Sequence, residues 1–392
     1  MFGIETGFSQ LDWRHIVMLL FGGGLIFMAI AWKYEPFLLL PIGFGIILVN
    51  LPLGYGIMGF QLPDGTTLSY LPADWEEQAE KGGQAIGILS KVFIAGIGSD
   101  AIPLFIFLGL GAMTDFSPLI ANPKTLLLGA AAQFGVYFAF FSALALGFTL
   151  QESASIGIIG GADGPTTIFL THRLAPHLIG VNAVAAYSYM AMVPLIQPPI
   201  IRLLTTKKER AIYMKPQLRD VSRLEKILFT LIGTIIITLL VPAAAPLIGM
   251  FMFGNLLLAS GVTERLANTA ANAFIDSITI LLGITVGAFM AAENFLKIKS
   301  LEVFGIGLIA FATATAGGVI CGKIMNRLSK EPINPMIGAA GVSAVPMSAR
   351  VVQRMGQKAN PRNFLLMHAM GPNVAGVIGT AVAAGAFLGL IK

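Results

Sequence analysis

Apolar runs of membrane-spanning length constrain this chain more than any other feature. About 17 to 25 apolar residues cross the hydrocarbon core of a bilayer as one helix. The sequence contains such runs along its whole length, and Gly or Pro interrupts several of them. They lie near residues 15–33, 36–58, 86–113, 125–150, 154–172, 180–203, 227–260, 270–295, 301–322 and 363–391. We therefore expect an all-α polytopic membrane protein with ten or eleven transmembrane helices, some of them broken.

Composition agrees with that class and excludes others. The 392 residues are 56% hydrophobic and 11% charged, with a mean hydropathy of +0.80, far from the soluble average. Cys321 is the only cysteine, and the four histidines show no metal-ligand spacing, so neither a disulfide nor a zinc or iron site is expected. The sequence also lacks a glycine-rich phosphate-binding loop.

The net charge of +5 comes from one segment. Between Arg202 and Lys226 there are eight basic and three acidic residues, a difference equal to the whole surplus. Short loops rich in Lys and Arg stay in the cytoplasm. The basic loop therefore predicts the cytoplasmic side of the chain and does not indicate a nucleic-acid partner. It either fixes topology alone or also docks a soluble protein.

The sequence shows no long hydrophilic break, so we interpret residues 1–392 as a single membrane domain. Residues 1–85 form N-terminal helices and a polar loop (61–83) that suit a scaffold. A first repeat-containing half (86–226) precedes a second half (227–392).

Three short motifs recur in the same order in the two halves. NP, GAA and GPT at 122–123, 129–131 and 164–166 are matched by NP, GAA and GPN at 334–335, 338–340 and 371–373. Such repeats are typical of transporters with inverted symmetry and a site near the midplane. This register would bring Asp163 close to Asn373.

The segment 333–349 predicts a re-entrant structure. Its apolar part is only about fifteen residues long, too short to cross a bilayer comfortably. Basic residues flank it on both sides, so both of its ends are expected in the cytoplasm. It would present Asn334, Ser343 and Arg350 from that side toward the centre.

Asp163 is the residue most suited to ion chemistry. It lies within GGADGPTT (160–167), between two apolar stretches, where a charge costs roughly 2.5 to 3.5 kcal/mol on insertion scales. Sodium is a hard cation, and carboxylate, carbonyl and hydroxyl oxygens replace its lost water. Asp163 and the hydroxyls of Thr166 and Thr167 supply such ligands. The alternative is a packing hydrogen bond or helix cap, the role we assign to Asp100, Asp115 and Asp276.

Two further features could contribute. Tyr187, Ser188 and Tyr189 form a polar cluster within an apolar run, where tyrosine is commonly an aromatic packing residue but can also contact a cation and relay a proton. Arg350 follows the re-entrant segment, where a guanidinium could grip a carboxylate in two places or serve only as another cytoplasmic cation.

At these positions the chain resembles a known family. The motif at 160–167, NPMIGAAGVSAVPM at 334–347 and MHAMGPNVAG at 367–376 are similar to those of the beta subunit of sodium-pumping, biotin-dependent decarboxylases. Members of that family serve oxaloacetate, methylmalonyl-CoA, glutaconyl-CoA and malonate systems. The resemblance extends from about residue 86 to the end.

The resemblance implies a primary pump in the cell (inner) membrane. Carboxybiotin from a soluble carrier is decarboxylated at this subunit while sodium is expelled and a proton is consumed. It further implies a carboxyltransferase alpha subunit, a biotin carrier domain, a small membrane gamma subunit and oligomers with it. The chain lacks an AMKM biotinylation motif, so the carrier must lie elsewhere. The implied catalytic residues are Asp163, Tyr189, Ser343 and Arg350. The sodium ligands would be Asp163, Thr166, Asn334, Ser343 and Asn373. Carboxybiotin would contact Asn334 and Arg350, and Gly338 also matches the second motif.

Two other functions fit the residues without the resemblance. A secondary sodium/proton antiporter or sodium-solute symporter would use the same repeats, broken helices and buried carboxylate. A non-catalytic membrane scaffold for a soluble enzyme is the other possibility, although it leaves Asp163 unexplained.

Overall fold

The computed structural model describes residues 7–52, 55–72, 74–215 and 219–391, and these residues are predominantly helical. Three short antiparallel strands, in the order β2-β1-β3, form the sheet of the polar loop: β1 Phe60–Gln61, β2 Thr67–Leu68 and β3 Gln84–Ala85. The predicted all-α membrane class is therefore confirmed. The α-helices are α1 Trp13–Ala31, α2 Pro36–Val49, α3 Tyr55–Met58, α4 Trp75–Glu80, α5 Ile88–Gly96, α6 Ala101–Met113, α7 Ser117–Ala121, α8 Leu126–Ala132, α9 Phe134–Ala145, α10 Leu150–Gly157, α11 Gly164–Leu174, α12 Ile179–Leu204, α13 Lys207–Arg210, α14 Arg223–Leu240, α15 Ala245–Ala259, α16 Glu264–Thr269, α17 Ile275–Ala288, α18 Ala292–Phe295, α19 Ile298–Leu328, α20 Met347–Ala359 and α21 Leu366–Leu390.

Seven helical stretches among the described residues are long and apolar enough to span a membrane, and α5 with α6, bent by 63°, makes an eighth candidate. The sequence predicted ten or eleven crossings. The run 154–172 belongs to a hairpin instead, and two further apolar helices lie outside these seven: α2, which has 14 residues, and α14, which carries three charges in its first four residues. The seven are 13–31, 123–145, 176–204, 242–259, 264–288, 298–328 and 366–390.

The first hairpin consists of α10, a 3-10 turn at Ile158–Gly161 and α11. Thr149 and Glu152 form a capping box that begins α10. Oε1 of Glu152 lies 2.9 Å from Nε2 of His177, just beyond the end of α11. The two ends of this hairpin therefore lie on the same side of the bundle.

The second hairpin consists of a 3-10 helix, Pro335–Gly341, followed by α20. The Nδ2 atoms of Asn334 and Asn363, at its start and just beyond its end, both donate to the carbonyl oxygen of Ile212, at 2.9 and 2.7 Å. Ile212 lies in the basic loop. This segment thus leaves and returns on the side of that loop, and it extends to Ala359 rather than ending at 349.

The two hairpins approach each other from opposite sides. The helix α12 joins the base of the first hairpin to the basic loop over 26 residues, about 39 Å at 1.5 Å per residue. Each hairpin follows one long helical segment and precedes another, α8–α9 and α12 for the first, α19 and α21 for the second. The hairpin tips meet at Asp163 and Ser343, and Asn373, which the sequence register predicts to lie close to Asp163, bonds to the carbonyl oxygen of Val342 beside the second tip.

Close helix contacts hold the N-terminal helices against the rest. A Cβ on Gly45 of α2 would lie 2.3 Å from the carbonyl oxygen of Ile284, and one on Gly287 would lie 2.1 Å from that of Ile42. Small residues let membrane helices approach this closely. The polar loop lies on the side opposite the basic loop, because Oε1 of Glu76 is 3.1 Å from Nε2 of His172 at the end of α11.

Candidate ion site where the hairpins meet

The tips of the hairpins are joined by two hydrogen bonds. The backbone N–H of Ser343 donates to the carbonyl oxygen of Gly161 at 3.1 Å. The hydroxyl of Ser343 donates to Oδ2 of Asp163 at 2.9 Å. Asp163 is only 3% exposed. The buried carboxylate is therefore shared between two halves of the chain.

A local break in the helix positions this carboxylate. Ala162 has φ of +54°, a left-handed conformation that ends the 3-10 turn. Asp163 then caps α11, and its Oδ1 accepts from the backbone N–H of Thr166 at 3.0 Å. Pro165, in the first turn, needs no hydrogen-bond acceptor. The cap and the positive end of the helix dipole both stabilise a negative charge at this point.

Three oxygen atoms near this carboxylate are buried and lack a hydrogen-bond partner within the described part of the chain: Oγ1 of Thr166, Oδ1 of Asn373 and the hydroxyl of Tyr187. Nδ2 of Asn373 donates to the carbonyls of Ala340 and Val342, at 2.9 and 2.8 Å, which fixes the amide beside the second hairpin. An unpaired buried oxygen costs about 1–3 kcal/mol. Together with Asp163 and Ser343, these oxygens provide the ligand types that a sodium ion prefers.

The structure places Tyr187, rather than Tyr189, beside the carboxylate. Tyr187 packs its ring on Gly164, where a Cβ would approach the ring to 2.1 Å, and its phenol interacts electrostatically with Asp163. Tyr189 instead donates its hydroxyl to the carbonyl oxygen of Phe304 on α19. Two residues rotate a helical side chain by about 200°. Only the contacts of α12 reveal which tyrosine faces the carboxylate.

Asn334 lies away from this group. It stands at the base of the second hairpin, where its Nδ2 donates to the carbonyls of Arg210 and Ile212, both at 2.9 Å. The seven-residue 3-10 helix that separates it from the tip spans about 14 Å at 2.0 Å per residue. The structure therefore brings Asp163, Thr166, Ser343 and Asn373 together but keeps Asn334 at the side of the basic loop.

Arg350 also lies outside the buried site, on the exposed face of α20. Glu35, in the turn between α1 and α2, faces it. Burial raises the pKa of Glu35, and the Arg350 guanidinium opposes that rise. With Arg354 and Lys358, at intervals of four residues, Arg350 forms a line of exposed cations along the helix. We call these three residues the basic stripe.

Two clefts lie between the basic stripe and the end of α12. One has a volume of about 320 Å³ and the other about 290 Å³. Among the described residues, no carboxylate lies within 4 Å of Arg202, Arg354 or Lys358. Glu209 pairs instead with Lys323 at 3.2 Å. Burial favours a raised pKa for Glu209, but hydrogen bonds from Thr206 and the Lys323 ammonium outweigh it and lower the pKa. The clefts are lined by Pro194, Leu195, Pro198, Pro199, Arg202, Lys207, Arg210, Val351, Arg354, Met355, Lys358 and Ala359.

The acids interpreted as structural have separate surroundings. Asp100 makes no side-chain cap and instead pairs with Arg173 at 2.6 Å and His172 at 3.2 Å, at the far end of α11. Asp115 accepts from Ser117 and lies 3.4 Å from Lys226. Asp276, in α17, is exposed on the surface of the chain.

Comparison with known proteins agrees with the motifs. The family described as the Na+-transporting oxaloacetate decarboxylase beta subunit matches residues 14–391. The methylmalonyl-CoA decarboxylase subunit beta of Propionigenium modestum is 56% identical over 389 residues, covering 98% of this chain and 97% of the relative. The glutaconyl-CoA decarboxylase subunit beta of Acidaminococcus fermentans is 51% identical, covering 99% and 96%. A probable oxaloacetate decarboxylase beta chain of Vibrio cholerae is 50% identical, covering 98% and 97%. The chain therefore belongs to the family of Na+-transporting oxaloacetate decarboxylase beta subunits, the membrane subunits of sodium-transporting decarboxylases.

Proposed function

We propose that this subunit decarboxylates carboxybiotin presented by a carrier on another chain and uses the reaction to move sodium from the basic side to the opposite side. The observation that carries this proposal is the buried carboxylate of Asp163, held by both hairpin tips and accompanied by three unpaired oxygens. Such an arrangement suits a cation that binds and leaves. A purely structural carboxylate would have its neighbouring oxygens paired.

The proposed coupling exchanges sodium for a proton at Asp163. Moving one sodium ion outward costs about 2.3 kcal/mol per 100 mV of membrane potential. In decarboxylation the N–C bond of carboxybiotin breaks, carbon dioxide leaves, and the biotin nitrogen takes up a proton. Sodium at Asp163 favours the ionised carboxylate. We infer that a proton replaces sodium as the ion is released, so that proton consumption and sodium transport share one group.

Carboxybiotin itself would bind closer to the basic side. Arg350 is the proposed contact for its carboxylate, since a guanidinium can donate two parallel hydrogen bonds. Asn334 is a second candidate, because it lies at the base of the same hairpin. The nearby clefts offer an approach from the side of the basic loop, where a carrier domain and a carboxyltransferase alpha subunit would dock. The acyl substrate would be chosen by that alpha subunit.

A second membrane chain is also part of the proposal. Asn268, Asn272 and Asp276 are exposed along one face of a membrane-spanning stretch, at intervals of four residues. Asp276 lies twelve residues, about 18 Å, from the start of α16. An ionisable side chain at that depth rarely faces lipid. We infer that a small gamma subunit, or an oligomer that includes it, covers this polar stripe. A cell (inner) membrane location with the basic loop in the cytoplasm completes the proposal.

The test uses the complete complex in proteoliposomes with the basic side outward. Addition of energised carrier should release carbon dioxide and drive sodium into the vesicles. The Asp163→Asn variant should lose sodium uptake, while Asp220→Asn, a charge removed from the exposed basic loop, should keep it. Ion gradients without carrier should not move sodium. Sodium exchange driven by a proton gradient alone would favour the secondary transporter, and normal carbon dioxide release and sodium uptake in Asp163→Asn would refute the proposed site.

A further inference from the structure

Hydroxyl groups continue from Asp163 toward the side opposite the basic loop. Thr167 and Thr171 follow Asp163 at intervals of four residues on one face of α11, and Oγ1 of Thr167 donates to the carbonyl oxygen of Asp163 at 2.7 Å. Eight residues of helix carry this line about 12 Å from the carboxylate. All three residues are buried. The line leads out of the ion site along the first hairpin.

The line ends at a second group of buried oxygens. Nδ2 of Asn182, in α12, donates to Oγ1 of Thr171 at 3.0 Å and to Oγ of Ser155, in α10, at 3.2 Å. None of these three side chains has exposed surface. Oδ1 of Asn182 has no hydrogen-bond partner among the described residues. This group therefore joins α10 and α11 of the first hairpin to α12, and it still leaves an amide oxygen without a hydrogen bond.

We propose that Asn182, Ser155 and Thr171 form a second, outer sodium site, occupied in transit between Asp163 and the side opposite the basic loop. This inference rests on the proposed function. Nδ2 of Asn182 faces the two hydroxyls in this structure, so sodium binding requires the amide to turn by about 180° and bring Oδ1 to them. The group then offers only neutral oxygens, one amide and two hydroxyls, which suit a monovalent hard cation. A site on a conduction path must bind strongly enough to accept the ion and weakly enough to release it. Neutral ligands meet that condition better than a second carboxylate.

The outer site lies one helical turn from a carboxylate near the surface. Ser155 is one helical turn from Glu152, and its hydroxyl donates to the carbonyl oxygen of Glu152 at 2.8 Å. The Glu152 carboxylate pairs with His177, whose side chain is 47% exposed. A carboxylate at the mouth of a path concentrates cations there. The proposed outer site therefore lies within one helical turn of the Glu152–His177 pair, whose histidine reaches the surface on that side.

Among the residues that the structure describes, packing contacts use only the nitrogen of the Asn182 amide. An asparagine that only joins helices gains most when both ends of its amide are bonded, and an unpaired buried amide oxygen offsets much of that gain. Asn255, which joins α6, α14 and α15, shows the difference. Its Nδ2 donates to the carbonyl oxygens of Gly111 and Thr114, and its Oδ1 accepts from Thr230. Asn255 therefore serves as the matched control.

The experiment separates the two sides of the membrane. Complete complex is reconstituted with the basic side outward, energised carrier is added outside, and sodium is varied in the lumen and outside independently. Lumenal sodium should inhibit carbon dioxide release by rebinding from its side. In Asn182→Ala the lumenal sodium concentration that halves the rate should rise roughly tenfold, the effect of losing one good polar contact. The external sodium concentration for half-maximal activity should change by less than about twofold.

Asn182→Asp should lower the lumenal sodium concentration that halves the rate, because a carboxylate retains sodium more strongly. Asn255→Ala should lower the thermal unfolding midpoint but leave both sodium dependences unchanged. Equal shifts on both sides, or no shift in either Asn182 variant, would overturn the outer site. If the wild-type complex releases carbon dioxide without moving sodium, the proposed function fails and not the inference alone.

Discussion

The hydroxyl of Ser343 donates a 2.9 Å hydrogen bond to the carboxylate of Asp163, although 180 residues separate them in the chain. Each residue stands where a helix is interrupted, and the two hairpins that carry them come from opposite sides. The backbone bond from Ser343 to Gly161 fixes the same contact. A movement of either hairpin therefore changes the ligands around the carboxylate, which is the property that an alternating-access pump requires.

Loss of the Ser343 hydroxyl should weaken both the contact and sodium binding. A hydrogen bond to a charged group contributes about 1.5–3 kcal/mol. We expect Ser343→Ala to lower the free energy of unfolding by about that amount and to raise the sodium concentration for half-maximal carbon dioxide release. Ser348→Ala is the control, since among the described residues the buried Ser348 hydroxyl bonds only within its own segment, to Ala344 at 3.4 Å. Equal sodium dependence in the two variants would exclude Ser343 as a ligand.

Removal of the Tyr187 hydroxyl should weaken sodium binding without lowering the stability of the protein. That hydroxyl has no partner in the described structure, so Tyr187→Phe removes an unsatisfied polar group and should leave thermal stability unchanged or slightly higher. If the phenol contributes to the ion site, sodium activation should require a higher concentration. Tyr137→Phe, on the exposed face of α9, should change neither quantity. A large loss of stability in Tyr187→Phe would show that the hydroxyl has a structural partner.

The space beside Gly164 should be intolerant of a single methyl group. A Cβ there would lie 2.1 Å from the Tyr187 ring, so Gly164→Ala must displace the tyrosine from the carboxylate. Overpacking of this kind costs about 1–3 kcal/mol, and sodium-dependent activity should fall with it. Gly249→Ala in α15 meets nothing within 4 Å and should stabilise its helix by about 0.5–1 kcal/mol. Thermal unfolding and sodium titration of both variants measure the difference.

The sequence alone predicts some of the residues at the candidate site and not others. The sequence points to Asp163 because a polar motif interrupts apolar runs, a signal that needs no tertiary information, whereas Ser343 follows from the predicted re-entrant segment and the family resemblance. Asn334 was placed near them because the sequence does not show that a 3-10 helix separates it from the tip. Tyr187 and Tyr189 leave α12 in different directions, and the packing of α12 against α19 and the first hairpin decides which of them faces Asp163. Asn182 gave no signal, because its role depends on three helices that meet only after folding.

Neutralising part of the basic stripe should weaken carrier binding without harming the ion site. Arg354 and Lys358 are exposed and have no carboxylate within 4 Å in the described structure. If they attract an acidic carrier surface, Arg354→Gln with Lys358→Gln should raise KM for the carrier severalfold and reduce its dependence on salt. The rate at saturating carrier and the sodium dependence should stay unchanged. Lys91→Gln, on the opposite side, is the control, and an identical KM in both proteins would exclude the stripe as a docking surface.

The polar stripe on the α16–α17 stretch should become reactive only when its partner is absent. Cys321 is the only native cysteine, so in a Cys321→Ser background an introduced cysteine is the only thiol of the chain that can be modified. In the complete complex, Asn272→Cys should be protected from a small membrane-permeant maleimide, and it should be modified when the second membrane chain is removed. Leu239→Cys, on the exposed apolar face of α14, should react to the same extent with and without that chain. Free modification of Asn272→Cys in the assembled complex would mean that the stripe borders water, and Asp276 would then need a role in an aqueous cavity rather than an interface.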